Sequence, residues 1–205
     1  MDDPAKGLDL PALIAARICH DLISPLGAIG NGVELLEMAQ SRLGPEIGLV
    51  RDSVQQAQAR IRLFRIAFGQ FRPDQMIGAE ELAGLVRDYA AQARFDLHWD
   101  PAETQPKAIV RLALLCLLCV ETVLPYGGQV VLVQDALSLH LRARSDKPKL
   151  EAALWSALSS EGDWPADLRA ARVQFPLLKQ AIAAQGMRLS LETNERGLDL
   201  RITAV

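Results

Sequence analysis

The sequence predicts an α+β protein whose first third is entirely helical. Apolar residues recur at helical spacing through residues 8–69, whereas after Pro73 helical stretches alternate with short runs in which apolar and polar residues strictly alternate. The junction Phe71-Arg72-Pro73-Asp74 separates these two patterns. We therefore predict an N-terminal helical hairpin over 1–72 and a C-terminal α/β sandwich over 73–205.

The first helix is predicted over Leu8–Gln40. Its apolar residues share an arc of roughly 120° on a helical wheel; they are Ile14, Ile18, Leu22, Leu26, Ile29, Val33 and Leu36. His20 lies nearly opposite the middle of that arc, so we expect its ring in solvent. Pro25 removes a backbone donor inside the helix, which predicts a kink near the histidine.

The second helix is predicted over Glu46–Gly69, after a short turn at Ser41–Pro45. It carries a heptad seam over three repeats, formed by Ile47, Val50, Val54, Ala57, Ile61, Phe64 and Phe68. One hairpin rarely covers both apolar stripes by itself, so we predict that two copies pair as a homodimeric four-helix bundle. The alternative is a hairpin that packs against the rest of its own chain.

After the junction, the pattern predicts about five strands and three or four helices. The helices are expected at Ala79–Ala93, Lys107–Leu124, Leu150–Leu158 and Phe175–Gln185. The strands are expected at Arg94–Asp100, Gln129–Asp135, Leu137–Arg144, Met187–Glu192 and Leu198–Thr203, with a longer loop over 193–197 between the last two.

The composition favours a soluble protein with a substantial core. Half of the residues are hydrophobic, the formal net charge is −3, and no block of like charges occurs, so we expect neither nucleic acid nor a membrane as partner. The longest apolar run, around Leu112–Val120, is too short to span a bilayer, and no secretory pattern opens the sequence. We therefore expect a cytoplasmic location.

The cysteines carry no evident chemistry. Cys116 and Cys119 form a CxxC pair, but both lie within the apolar run, and no second pair of ligands accompanies them. Buried thiols are the favoured interpretation, and no metal site is predicted.

The string His20-Asp21-Leu22-Ile23-Ser24-Pro25-Leu26 resembles the phospho-acceptor box of histidine kinases. The segment 114–130 is similar to the kinase N-box helix with the turn and strand after it, which implies a GHKL-type ATPase domain. The sequence departs from that family where nucleotide binds: Cys119 stands at the metal-binding asparagine, no Asp-x-Gly-x-Gly occurs, and Gly162 is the only glycine between Leu150 and Gly186. A thiol is a poor ligand for Mg²⁺, so we expect a degenerate domain that binds no ATP or other cofactor.

The chain has the layout of a histidine kinase but lacks the nucleotide-binding residues. In this it is similar to the ChpT-type histidine phosphotransferases of alphaproteobacteria. The run 17–29 looks like the signature of this family. The resemblance is specific over residues 13–37 and is one of topology alone over 79–205. The resemblance implies a relay in two-component signalling and cell-cycle regulation. Phosphate arrives from the receiver domain of a hybrid histidine kinase and leaves to the receiver domain of a response regulator. The receiver would supply Mg²⁺.

Within this resemblance His20 is the expected phospho-acceptor, whereas His98 and His140 are given no role. Asp21 could accept the ring N–H and fix its tautomer, or be a solvated acid. Arg17, one turn earlier, could contact phosphate oxygens or be solvated. Ser24, one turn later, could hydrogen-bond phosphate or simply be small.

Small residues follow His20 along one face of the first helix, where the stripe runs Ala16, His20, Ser24, Gly27, Asn31. Glycine destabilises a helix by roughly 1 kcal/mol relative to alanine, and Gly27, Gly30 and Gly32 all fall in this helix. We infer that a receiver helix docks here through Ala16, Gly27 and Asn31. Close packing by the chain's own domains is the alternative.

Three other functions stay open from the sequence. The chain could be an active but divergent histidine kinase, a non-catalytic dimeric adaptor that binds receivers, or a sporulation-type phosphotransferase with a similar hairpin.

Overall fold

The computed structural model describes residues 8–38, 45–101, 103–135, 138–160 and 163–204. Most of the predicted turn at 41–45, the start of the predicted strand at Leu137, and the first seven residues lie outside the described residues.

Two long helices form the N-terminal hairpin, as predicted. α1 spans Leu10–Met38 and α2 spans Pro45–Ala67, and the two pack side by side. Asp9 begins α1, because its carboxylate accepts a hydrogen bond from the Ala12 N–H at 3.1 Å and satisfies one free donor of the first turn. Pro25 lies inside α1, on a buried part of its surface.

The C-terminal part contains four helices and seven strands among the described residues. The strands are β1 (Met76–Ile77), β2 (Asp96–His98), β3 (Gln105–Pro106), β4 (Gln129–Gln134), β5 (Ser138–Arg144), β6 (Met187–Asn194) and β7 (Gly197–Ala204). The helices are α3 (Ala79–Ala90), α4 (Lys107–Val120), α5 (Ala152–Ser159) and α6 (Gln174–Ala184), with a 3₁₀ turn at Ala170–Arg172 before α6. The small β1–β3 pair and the 3₁₀ turn were not predicted.

The main sheet has five strands in the order β2-β4-β5-β7-β6. β2 runs parallel to β4, and the other neighbours are antiparallel, with Leu132 opposite Leu141 and Leu141 opposite Leu200. One face is apolar and buried, and α4, α5 and α6 lie on that side. The opposite face carries polar and charged side chains, as is common for antiparallel sheets.

The predicted long loop between the last two strands is wrong, because β6 and β7 meet in a tight turn at Glu195-Arg196. The Asn194 side-chain oxygen accepts the Arg196 N–H at 2.9 Å, which closes the turn. Gly197 follows with φ 144°, and a Cβ there would lie 2.1 Å from the Ala143 carbonyl oxygen. Only glycine permits both the backbone angle and this approach.

The core runs without interruption from the C-terminal part into the base of the hairpin. Leu10 of α1 and Leu63, Phe64 and Ala67 of α2 belong to the same buried cluster as α4 and the sheet. The alternative in which the hairpin packs against its own chain therefore holds for the base of the hairpin.

Farther from this base, both hairpin helices expose large apolar side chains. The exposed residues are Ile23, Leu26, Val33, Leu35, Met38, Ile47, Leu49 and Ile61. Within one chain the predicted apolar arc of α1 is only partly covered, because Leu26 and Val33 at one edge of the arc are exposed whereas Pro25 and Gly32 at its other edge are buried. The α2 seam divides in the same way, since Ile61 is exposed and Ala57 buried.

Helix α1 is long and apolar enough over Leu10–Leu36 to cross a bilayer, judged by length and composition alone. It is the only such helix in the described part of the chain. Leu112–Val120 is still the longest uninterrupted apolar run, since α1 is interrupted by Arg17, His20 and Asp21. Core helices of soluble proteins and signal sequences meet the same criterion, so one such helix does not establish a membrane span.

Candidate active site

His20 stands on the outer face of α1, and its side chain is 80% exposed. Its Nδ1 lies 3.0 Å from Oδ1 of Asp21, the next residue. An ionised carboxylate can only accept hydrogen bonds, so this contact requires the proton on Nδ1. The lone pair of the ring is then on Nε2, the nitrogen that Asp21 does not contact.

Arg17 holds the other oxygen of the same carboxylate. Its Nε donates to Asp21 Oδ2 at 3.0 Å, four residues along the helix, and each of the two side chains is only 11% exposed. Arg17 Nη1 also donates to the carbonyl oxygen of Ala171 at 2.9 Å. Arg17 therefore connects the residue beside His20 to the 3₁₀ turn of the C-terminal part.

Several donors converge on the Ala171 carbonyl oxygen. Besides Arg17, it accepts from Arg172 Nη1 and from Gln174 Nε2, each at 3.2 Å. Gln174 is buried and also donates to the Leu118 carbonyl oxygen of α4 at 3.2 Å. Arg172 Nε donates to Glu151 at 2.9 Å, and this hydrogen bond lowers the pKa of Glu151 against the opposing effect of burial.

The other predicted site residues lie along the exposed stripe. Ala16, Ser24, Gly27 and Asn31 are all exposed, on the helix that carries His20. A Cβ built on Gly27 would have nothing within 4 Å. Packing by the chain's own described residues therefore does not explain this glycine, although Gly32 is buried. The roles of these residues in catalysis or docking remain predictions.

Comparisons with known proteins agree with this architecture. Residues 79–197, more than half of the chain, match the family model of the histidine phosphotransferase C-terminal domain. The chain belongs to this histidine phosphotransferase family. A solved bacterial phosphotransferase is similar over 96% of this chain and 97% of its own, with 28% identity and a TM-score of 0.77. The protein phosphotransferase ChpT of Brucella abortus (strain 2308) is 36% identical over 127 residues, which span 61% of this chain and 60% of ChpT.

The position that resembles the metal-binding asparagine of kinases, Cys119, is buried in the core of this chain. Cys116 and Cys119 are both fully buried, as the sequence predicted, and burial raises the pKa of each thiol. No cluster of His, Cys, Asp and Glu side chains suited to a metal occurs among the described residues. A thiol inside the core and away from solvent does not fit an Mg²⁺–nucleotide ligand.

The Ala171 carbonyl is the part of the site that the sequence did not reveal. It lies 154 residues from Arg17, and a backbone carbonyl carries no signature in the sequence. The remaining histidines are engaged elsewhere: His98 Nε2 lies 3.2 Å from the Gln129 side chain, and His140 Nε2 lies 3.4 Å from Asp199.

Proposed function

We propose that this family member is the phosphohistidine carrier of a multistep phosphorelay. His20 accepts phosphate from the receiver domain of a hybrid histidine kinase and passes it to the receiver aspartate of a response regulator. The observation that carries the proposal is the exposed His20 ring, whose Nδ1 contacts Asp21 while Nε2 is left for an incoming phosphoryl group.

The proposed reaction needs no proton transfer. The Nε2 lone pair attacks the phosphorus of the receiver's aspartyl phosphate, the P–O bond to that carboxylate breaks, and its electron pair leaves with the receiver. The phosphorylated ring keeps the proton on Nδ1 and carries a positive charge, which the Asp21 carboxylate at 3.0 Å stabilises. The same charge makes the ring a good leaving group, so transfer runs in both directions.

Phosphoryl transfer depends mainly on positioning and on neutralising phosphate charge. We assign the Mg²⁺ ion of this reaction to the receiver domain. We also assign no ATP to this chain, because the buried Cys119 thiol does not fit the role of the kinase asparagine. A divergent kinase remains an outcome of the test described below.

We infer that receivers dock on the stripe of Ala16, Gly27 and Asn31. A Cβ at Gly27 would meet nothing within 4 Å, and this open space supports the close approach of a partner helix. Ser24 is exposed one turn after His20, and we propose that its hydroxyl hydrogen-bonds the phosphoryl group.

The exposed apolar side chains of the hairpin support a homodimer in which two hairpins form a four-helix bundle. Ile23, Leu26 and Met38 are 68%, 58% and 77% exposed in the single chain, and a second copy would cover such residues. Burial of α1 in this bundle is consistent with the cytoplasmic location that we propose, and it accounts for the apolar character of the helix.

Phosphotransfer profiling tests the function. Phosphorylated receivers are presented one at a time, and label is followed onto wild-type protein, His20→Gln and the control His98→Gln, which removes another exposed histidine. We expect acid-labile label on wild type and His98→Gln and none on His20→Gln. Self-labelling with ATP and Mg²⁺ would indicate a kinase, and receiver binding without transfer would indicate an adaptor; either result contradicts the proposal.

A further inference from the structure

Arg17 stands out among the arginines of this chain because its side chain is nearly buried although it lies next to the exposed His20. It is 11% exposed, whereas Arg62 is 49% and Arg72 is 77% exposed. Its two described hydrogen bonds point inward, to Asp21 Oδ2 and to the Ala171 carbonyl oxygen. Neither bond is directed at a ligand on the surface.

The Ala171 carbonyl is itself fixed by the C-terminal domain. Gln174, which is 1% exposed, joins Ala171 to the Leu118 carbonyl of the buried helix α4. Arg172 adds a second donor and is held by Glu151. The acceptor that Arg17 uses is therefore part of a hydrogen-bonded network of the C-terminal domain that α1 alone does not contain.

We propose that Arg17 is a positioning residue through which the C-terminal domain orients Asp21 and so fixes the His20 ring as the Nδ1–H tautomer. Arg17 holds Oδ2 of the carboxylate, which leaves Oδ1 facing His20 Nδ1 at 3.0 Å. The C-terminal domain, to which we assign no ATP, thus has a structural role in the phospho-acceptor site. The kinetic part of this inference rests on the proposed function, whereas the tautomer part does not.

This role differs from direct contact between Arg17 and phosphate in one testable respect. A lysine keeps the positive charge and can still attract phosphate, but its single ammonium nitrogen lacks the forked donors that reach Asp21 and Ala171 together. Arg17→Lys should therefore keep a direct contact with phosphate, if one exists, but should lose the orientation of the Asp21 carboxylate.

The experiment records long-range ¹H–¹⁵N correlation spectra of the histidine rings, which is practical because the chain has only three histidines. We expect the Nδ1–H tautomer of His20 in wild type and a substantial shift toward Nε2–H in Arg17→Ala and Arg17→Lys. Arg51→Ala, which removes an exposed arginine of α2, is the matched control and leaves the tautomer unchanged. Thermal unfolding of each variant verifies that it is folded.

The same variants are assayed for transfer from a phosphorylated receiver. We expect a loss of roughly 10-fold to 100-fold for both Arg17 variants, since small misplacements of a reacting group have effects of this size. An unchanged His20 tautomer in Arg17→Ala overturns the inference, and so does a wild-type transfer rate in Arg17→Lys. If wild-type protein accepts no phosphate from any receiver, the proposed function fails, and the tautomer spectra still decide the role of Arg17.

Discussion

Arg111 Nε donates a 3.1 Å hydrogen bond to the Ala67 carbonyl oxygen and thereby joins α4 to the last turn of α2. The guanidinium also lies over the ring of Phe71, 5.8 Å from its centroid, and burial lowers its pKa from the ordinary arginine value. Because the buried core also continues from α4 into Leu63 and Ala67, the hairpin base and the C-terminal domain form one packed unit.

This arrangement predicts a single cooperative unfolding transition. All three tryptophans lie after residue 73, so their fluorescence reports on the C-terminal domain, whereas circular dichroism at the helical wavelength also reports on the hairpin. We expect the two signals to change together in a urea titration of the wild-type protein. Separate midpoints would show that the hairpin and the C-terminal domain unfold independently.

Arg111→Ala is expected to lower the free energy of unfolding by about 1.5–3 kcal/mol, the range for hydrogen bonds to charged groups. The Ala67 carbonyl loses its described side-chain donor, and the cation–π contact with Phe71 is lost as well. Arg72→Ala is the control, because its ion pair with Asp74 joins two side chains that are each 77% exposed. That variant should change stability by less than about 0.5 kcal/mol.

Gly27→Leu is expected to separate docking from folding. Nothing lies within 4 Å of the Cβ position, and leucine favours helix over glycine by up to about 1 kcal/mol, so stability should be kept or raised. Transfer from phosphorylated receivers should slow by roughly 10-fold or more because the side chain projects into the proposed docking face.

Gly84→Leu provides the matched control for this substitution. Gly84 lies within α3, and a Cβ there also has nothing within 4 Å, but it is not on the His20 stripe. This variant should transfer phosphate at the wild-type rate. Equal phosphotransfer rates for Gly27→Leu and wild type would show that the stripe around Gly27 is not part of the docking surface.

The spacing of apolar residues predicted those helices and strands in which buried residues recur at the period of the element itself. The 3.6-residue period placed α1, α2 and α4 near their observed bounds, and alternation placed β4 to β7. In β4, β5 and β7 the alternation matches one buried face, and α4 is buried over nearly all of its surface. The exposure of His20 followed from the same wheel. The short pair β1–β3 has only two residues in each strand, too few for any period to be visible.

The features that the sequence did not show depend on contacts between distant parts of the chain. The hairpin base packs against the C-terminal part, so Phe64 of the α2 seam is buried, whereas Leu26 of the apolar arc of α1 is exposed in the single chain. The wheel cannot distinguish a residue that faces its own domain from one that faces a partner. In the same way, the sequence could not show the hydrogen bond from Arg17 to the Ala171 carbonyl, because only the tertiary fold brings the two residues together. A contact between Arg17 and phosphate stays a prediction.

The proposed bundle predicts that Leu26→Glu weakens self-association. Leu26 is 58% exposed in the single chain, and a buried carboxylate in the dimer would lose its hydration without a partner. We expect wild type to be a dimer at micromolar concentration by size-exclusion chromatography with light scattering, and Leu26→Glu to shift toward monomer. Val133→Glu, at a 63% exposed apolar residue of β4, is the control and should remain dimeric. A monomeric wild type would contradict the bundle.

Asp199 lies on the polar face of the sheet, and its ion pairs lead us to predict that the folded state loses stability in acid. Its Oδ1 accepts from Arg142 Nε at 3.0 Å, and Oδ2 accepts from Arg144. Burial acts to raise the pKa of Asp199, but hydrogen bonds from Arg144 and Arg142 and the positive charge of Arg144 outweigh it and lower the pKa to about 2.

A carboxyl group whose pKa is lowered by folding stabilises the folded state above its unfolded pKa of 3.8, and that contribution is lost as the pH falls toward 2. Between pH 6 and pH 3 the loss should be about 1 kcal/mol at most, since the ion pairs lie on an open face where solvent screens them. Asp199→Asn should lower stability at pH 6 and show a smaller decline between pH 6 and pH 3 than wild type, measured by urea unfolding at each pH. Because every other carboxyl group is common to both proteins, parallel pH dependence in the two would mean that Arg142 and Arg144 do not stabilise the ionised form of Asp199 in solution.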